Sequence, residues 1–169
     1  MEDLIQRTSV FKALTDEQLN FRIHESSWSI LECLEHLNRY GNFYIPEIRK
    51  QILNSKSTPD KNFKSGLLGG YFANSMLPKE KLNKMKTLAS MNPIGSKLNH
   101  EVIDIFINQQ KKILELLFLA KQVSLNKTRC SISIATWIKL KLGDIFSIVI
   151  NHNLRHVVQA ENVMKGQIK

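Results

Sequence analysis

The side chains with the most chemistry to offer are five histidines: His24, His36, His100, His152 and His156. In His152-Asn153-Leu154-Arg155-His156 two imidazoles stand four residues apart. On an α-helix that spacing puts them on one face, one turn apart, where both can point at one cation. At about 100° per residue, Ile145, Ile148, Val149, His156, Gln159 and Val163 all fall within about 60° of His152. The stripe is otherwise apolar, so it faces a core. Polar groups buried there without partners would cost roughly 1–3 kcal/mol each. A divalent metal would satisfy the imidazoles. The same spacing suits two surface histidines, or two core histidines bonded to backbone. It also lacks the glutamate of the HExxH zinc-protease helix.

A metal reading needs a third ligand, and His36 is the best placed. It lies at the edge of the apolar stripe of another helical segment, with Glu32, Cys33, Tyr40 and Phe43 on its side. His24 and His100 read as ordinary surface residues. Three neutral imidazoles leave a divalent ion doubly positive, with at least one open position. A water bound there has its pKa lowered towards ~7, and a thiol is deprotonated. Hydrolysis and thiol transfer are both open to such a site. Glu32 and Gln159 are candidates to hold the outer imidazole nitrogens, although Glu32 is better accounted for by helix capping. Cys33 is a candidate fourth ligand, with a small buried hydrophobe the preferred role. Arg155 flanks the metal face, where it could meet an anionic substrate or simply be solvated. There is no phosphate loop, dinucleotide fingerprint, CxxC or G-x-S-x-G.

Four helical stretches must position these groups. The first runs from Glu2 to Ala13, and Thr15 with Gln18 can cap a short turn after it. Residues 21–28 have no period and read as extended. The second helix opens at Ser29-Ile30-Leu31-Glu32, a capping box, and its stripe of Ile30, Cys33, Leu34, Leu37, Tyr40, Tyr44 and Ile48 carries it to about Leu53. Pro46 should kink or split it near Phe43. Residues 54–99 are punctuated by Pro and Gly. Their apolar patch of Leu67, Leu68, Tyr71 and Phe72 is expected to fold back or line a pocket. The third helix covers 98–121. Residues 123–141 form a second connection in which Ser131-Ile132-Ser133-Ile134 alternates like a strand but has no obvious partner. The fourth helix runs from Gly143 or Asp144 to about Lys165. The pattern predicts an all-α four-helix bundle with a long crossover connection, one domain over 1–169.

Composition agrees with that class. The 169 residues include 43% hydrophobic and 23% charged, ordinary for a globular protein. No run reaches the ~18 apolar residues of a membrane span. The acidic, unpatterned start does not resemble a signal peptide, so a cytoplasmic protein is expected. Cys33 and Cys130 then read as reduced thiols. The net charge of +9 admits nucleic acid, an anionic membrane or an anionic substrate. The lysines, however, are scattered: Lys50, Lys56, Lys61, Lys64, Lys79, Lys81, Lys84, Lys86 and beyond. A lysine-rich surface is the preferred account, and nucleic acid the lesser one.

Trp28-Ser29 followed by Glu35-His36-Leu37, then Leu142-Gly143-Asp144 followed by His152-Asn153-Leu154-Arg155-His156 and Gln159, resembles the DinB-like (DinB/YfiT-like) superfamily. The match covers about Trp28 to Gln159. The resemblance implies a four-helix bundle of non-standard helix order, often a homodimer. It also implies a zinc or nickel ion held by His36, His152 and His156, with Trp28 packing where the chain enters the second helix. Some members are thiol S-transferases that join a low-molecular-weight thiol to an electrophile. The leading expectation is therefore a metal-dependent enzyme acting on a small molecule, a thiol S-transferase or hydrolase. The alternatives are a non-catalytic metal-binding stress-response protein on the same scaffold, and a basic nucleic-acid binder. Residues 54–99 match no motif and are where specificity is expected to lie.

Overall fold

The computed structural model describes residues 1–78 and 87–167. Lys79, Lys81, Lys84 and Lys86 of the charge argument lie outside the described residues.

Among the described residues there are six α-helices and one two-stranded sheet. The helices are α1 (Glu2–Ser9), α2 (Asp16–Asn20), α3 (Ile30–Asn54), α4 (Leu67–Ser75), α5 (Glu101–Leu119) and α6 (Leu142–Gly166). Strands β1 (Arg129–Ile132) and β2 (Ala135–Lys141) form an antiparallel hairpin between α5 and α6. Helix α3 packs along both α5 and α6, α1 lies against the same two, and α4 sits on α6. No described helix is long and apolar enough to cross a membrane.

The start of α3 is fixed chemically. The Ser29 hydroxyl accepts from the Glu32 N–H at 3.2 Å, and the Glu32 carboxylate accepts from the Ser29 N–H at 2.9 Å. Each group satisfies an otherwise orphaned backbone donor. Thr15 and Gln18 build the same device at α2. Against expectation, Pro46 does not split α3, which runs unbroken to Asn54. Proline at 46 removes the donor that the Asn42 carbonyl would accept from. Both residues lie on the exposed face, where water can serve that carbonyl instead.

Two further expectations are corrected. The chain is not purely helical, because Ser131 and Ile132 have a partner strand. Cys130 pairs with Leu140 and Ser131 with Lys139, and the register shifts before Ile132 meets Ala135. Cys130, Ile132, Ala135 and Leu140 are buried, so the hairpin is part of the core. Nor does the whole apolar patch of residues 67–72 fold back, although Phe72 lines a cavity as expected. Leu67 is 99% exposed and Tyr71 69% exposed. Helix α4 docks instead through its small residues, with Gly69 and Ala73 buried and Phe72 partly so.

Two apolar clusters form the interior. One gathers Leu4, Phe11, Leu31, Leu34, Phe106 and Val157 around the first half of α3 and the second half of α6. The other gathers Ile48, Ile113, Leu116, Ile132, Ile145 and Val149 at the opposite halves, beneath the hairpin. Polar side chains lie where the two meet. Asn38 donates to the Val102 carbonyl, Gln109 to the Asn38 carbonyl, and Asn153 to Gln110.

Candidate metal centre

His36 projects from the second turn of α3, and His152 and His156 from the middle of α6. The packing of α3 on α6 brings the three rings together, with centroids 4.6 to 5.0 Å apart. All three are buried. One nitrogen from each lies within 4.8 Å of the others. Among the described residues, this is the one group of His, Cys, Asp and Glu side chains arranged to hold a metal ion.

Hydrogen bonds set the tautomers. The Nδ1–H of His36 donates to the Met91 carbonyl at 2.7 Å. The Nδ1–H of His156 donates to Gln159 Oε1 at 2.9 Å. In each ring this leaves Nε2 as the lone-pair nitrogen. The Nε2 atoms of His36 and His152 approach to 3.1 Å. With its proton on Nε2, His152 donates to His36; with its proton on Nδ1, both Nε2 lone pairs face each other and a cation between them is attracted to both. Ligands on a tetrahedral zinc at 2.0–2.1 Å stand about 3.3 Å from one another. The three imidazoles therefore fit a divalent ion in charge, and His36 and His156 in tautomer, with one nitrogen from each ring within 4.8 Å of the others.

Burial keeps these rings neutral. It pushes His36 down to about 4, against the opposing bond to Met91. It pushes His156 down to about 3, with His36 adding to the effect. His152 falls well below the ordinary value through burial and its two histidine neighbours. Neutral imidazole is the form that ligates metal.

Aromatic rings wall the cluster. Trp28 lies 4.6 Å from His36 and 5.5 Å from His156, and its indole N–H donates to Asn92. Tyr40 stands edge-on to His36 at 4.9 Å and to His152 at 4.8 Å. Burial, with Tyr44 close by, raises the Tyr40 pKa. Tyr40 and His152 also line an apolar cavity of about 70 Å³ that continues away from the histidines.

Several candidates are placed elsewhere. Glu32 does not reach the histidines. Its carboxylate takes Arg22 at 2.5 and 2.9 Å and the backbone N–H groups of Ser29 and Gly95. Burial opposes its charge, and these donors outweigh burial to lower its pKa. Cys33 is fully buried in the apolar cluster around α1, outside the histidine group, and burial raises its thiol pKa. Arg155 is 4% exposed rather than solvated. His24 is exposed, but His100 is no free surface residue: it contacts Asp16 at 2.8 Å and the Leu14 carbonyl at 3.0 Å. The Met91 carbonyl was not foreseeable, because any residue type supplies one. Tyr40 had a signal, the spacing that places it one turn beyond His36.

Comparison with curated proteins and with solved structures returns no match. Comparison with family models does: residues 6–160 match the DinB superfamily, so the match takes in the capped start of α3 and all three histidines. The chain belongs to the DinB superfamily, whose members bind metal.

Proposed function

We propose that this protein is a metal-dependent enzyme in which His36, His152 and His156 hold one divalent ion, zinc or nickel. One observation carries the reading: three buried imidazoles bring one nitrogen each to within 4.8 Å of the others, two of them anchored on their outer nitrogen, and the third, His152, lines an apolar cavity. A purely structural metal is normally closed by a fourth protein ligand. Cys33, the candidate for that place, lies outside the group. When bound, the ion would supply Lewis acidity that makes a water or thiol nucleophilic near neutral pH.

The chain's own residues do the rest. Met91 and Gln159 hold the His36 and His156 rings so that Nε2 faces inward. Trp28 and Tyr40 shield the cluster from bulk water. The cavity receives the partner molecule beside His152. Thiol S-transfer to an electrophile is the favoured reaction, and hydrolysis the other that the donor set permits. We take α1, α3, α5 and α6 as a four-helix bundle within one domain, with α4 in the long crossover, acting in the reducing cytoplasm and pairing as a homodimer.

The test is elemental analysis of untagged protein, followed by a thiol-transfer and hydrolysis screen of the loaded form. About one divalent ion per chain is expected. Well under half an ion per chain after reconstitution would remove the reading. Metal without turnover across the screen would favour the non-catalytic alternative.

A further inference from the structure

We propose that the cavity beside His152 binds an uncharged, apolar group of a few heavy atoms, so that the protein's substrate carries a short neutral aliphatic portion at its reacting end. The proposal rests on the metal-enzyme reading for the words "reacting end", but the cavity's preference for neutral groups stands on its walls alone.

The walls decide the class. Among the described residues, none of those lining the cavity is a lysine, arginine, aspartate or glutamate. The protein as a whole is strongly basic, at +9, and a basic protein draws anions towards its surface. An anion entering this cavity in the metal-free protein would find no charged side chain in its wall to pair with. An unpaired charge in such surroundings is costly, whichever its sign.

The amides in the wall do not offer a substitute, and the Tyr44 and Ser133 hydroxyls bond to each other. Both N–H bonds of the Gln109 amide are spent, one on the Asn38 carbonyl and one on Asn42. Gln110 donates to the Phe106 carbonyl and accepts from Asn153. These amides bind the helices to one another. What remains facing the cavity is chiefly aliphatic, aromatic and thioether surface.

Size narrows the class. The cavity is about 70 Å³, smaller than the ~150 Å³ apolar cavity that takes benzene, so it suits a group of only a few heavy atoms. Its origin in the fold supports a binding role. Tyr40, Ile113 and Ile148 come from the long helices, while Phe72, Met76 and Ile132 come from the two connecting segments. A void left by imperfect packing within the helices would not require both connections to converge on it.

The experiment uses the full chain with ¹³C-labelled isoleucine δ1 methyls, since Ile113, Ile132 and Ile148 are built-in reporters in the wall. The metal-free and zinc-loaded proteins are each titrated with 1-butanol, 1-butanethiol, butyrate and butylammonium. In the metal-free protein, shifts centred on these three methyls are expected with the neutral probes, at midpoints at least tenfold lower than with either ion. Equal midpoints for neutral and charged probes would overturn the proposal. So would shifts confined to isoleucines remote from the cavity. The metal reading has its own signal in the same samples: zinc should move the ring resonances of His36, His152 and His156. If zinc moves none of them while butanol still selects the cavity, the metal reading fails and the preference for neutral groups stands. If zinc binds and the charged probes compete equally, the reverse holds.

Discussion

His36 and His156 each work through two nitrogens, one facing the cluster and one anchored outside it. Removal of His156 should leave two inward nitrogens. His156→Ala should lower metal affinity by well over the ~10–100-fold typical of losing a group that merely orients a ligand, as measured by competition with a chromophoric chelator. His24→Ala should change nothing in the same assay, because His24 is exposed and away from the cluster. Gln159→Leu belongs between them, with a loss of about 10–100-fold. Equal affinity of parent and His156→Ala would dismiss His156 from the site. Acid should reveal the neutral rings too. Folding holds His36 at about 4 and His156 at about 3, against about 6.5 for free imidazole. Below pH ~6.5 the unfolded chain binds more protons than the folded one, so stability rises with pH across that window. The urea midpoint of metal-free protein should therefore be constant above pH ~6.5 and fall progressively towards pH 4. A flat profile would mean that the rings are not buried as neutral bases. What the sequence showed at this scale was side-chain spacing. Gln159 lies three residues beyond His156 on one helix, so its bond could be read from periodicity. The bond from His36 to Met91 could not, since it joins a helix to a backbone carbonyl in a segment without pattern.

Helices α3 and α6 were legible because their stripes are long and their ends are marked by Ser29-Glu32 and by Gly143-Asp144. The hairpin was not. Its turn, Ser133-Ile134, lacks the Asn-Gly or Gly signal that announces a two-residue connection. Its register also slips at Ile132, which blurs the alternation of β2. The role of α4 was hidden for another reason: small Gly69 and Ala73, with Phe72 alone of its large apolar residues, make the contact. A Cβ on Gly69 would lie 2.3 Å from the Asp144 carboxylate. That carboxylate, 1% exposed, accepts from Ser65 at 2.5 Å and from the Gly66 N–H at 3.1 Å. Gly69→Ala should push α4 off α6 and destabilise the protein by about 1–3 kcal/mol, as overpacking does. Denaturant titration gives the magnitude, and faster amide exchange confined to residues 67–75 gives the place. Unchanged exchange there would show that α4 is held by something other than this close fit. At the start of α3, Ser29→Ala should cost about 1 kcal/mol, while leaving the Arg22–Glu32 pair intact.

Across the whole molecule, the three clustered histidines lie between two apolar clusters rather than inside either. A ligand there ties the first half of α3 to the middle of α6, so binding and global stability are linked. Zinc at 100 times its dissociation constant should stabilise the fold by about 2.7 kcal/mol. For a chain of this length that is roughly 5–10 °C in melting temperature. The increment should vanish in His156→Ala, and a parent protein whose melting ignores zinc would contradict a site that bridges the two helices.

The division of labour between long helices and connections bears on how this scaffold changes over time. Every imidazole of the cluster hangs on α3 or α6, each 25 residues long and capped or packed throughout. The cavity's outer wall hangs on Phe72, Met76, Ile132 and Ile134, which carry no ligand and belong to segments that the long helices do not need for their own hydrogen bonds. The histidines and this part of the cavity wall are thus written in different stretches of the chain and can drift at different rates, while Tyr40, Ile113 and Ile148 stay with the long helices. A lineage could exchange one substrate for another while its metal chemistry stood still. In the laboratory, a combinatorial library confined to those four positions is the shortest path to a new specificity on an intact centre.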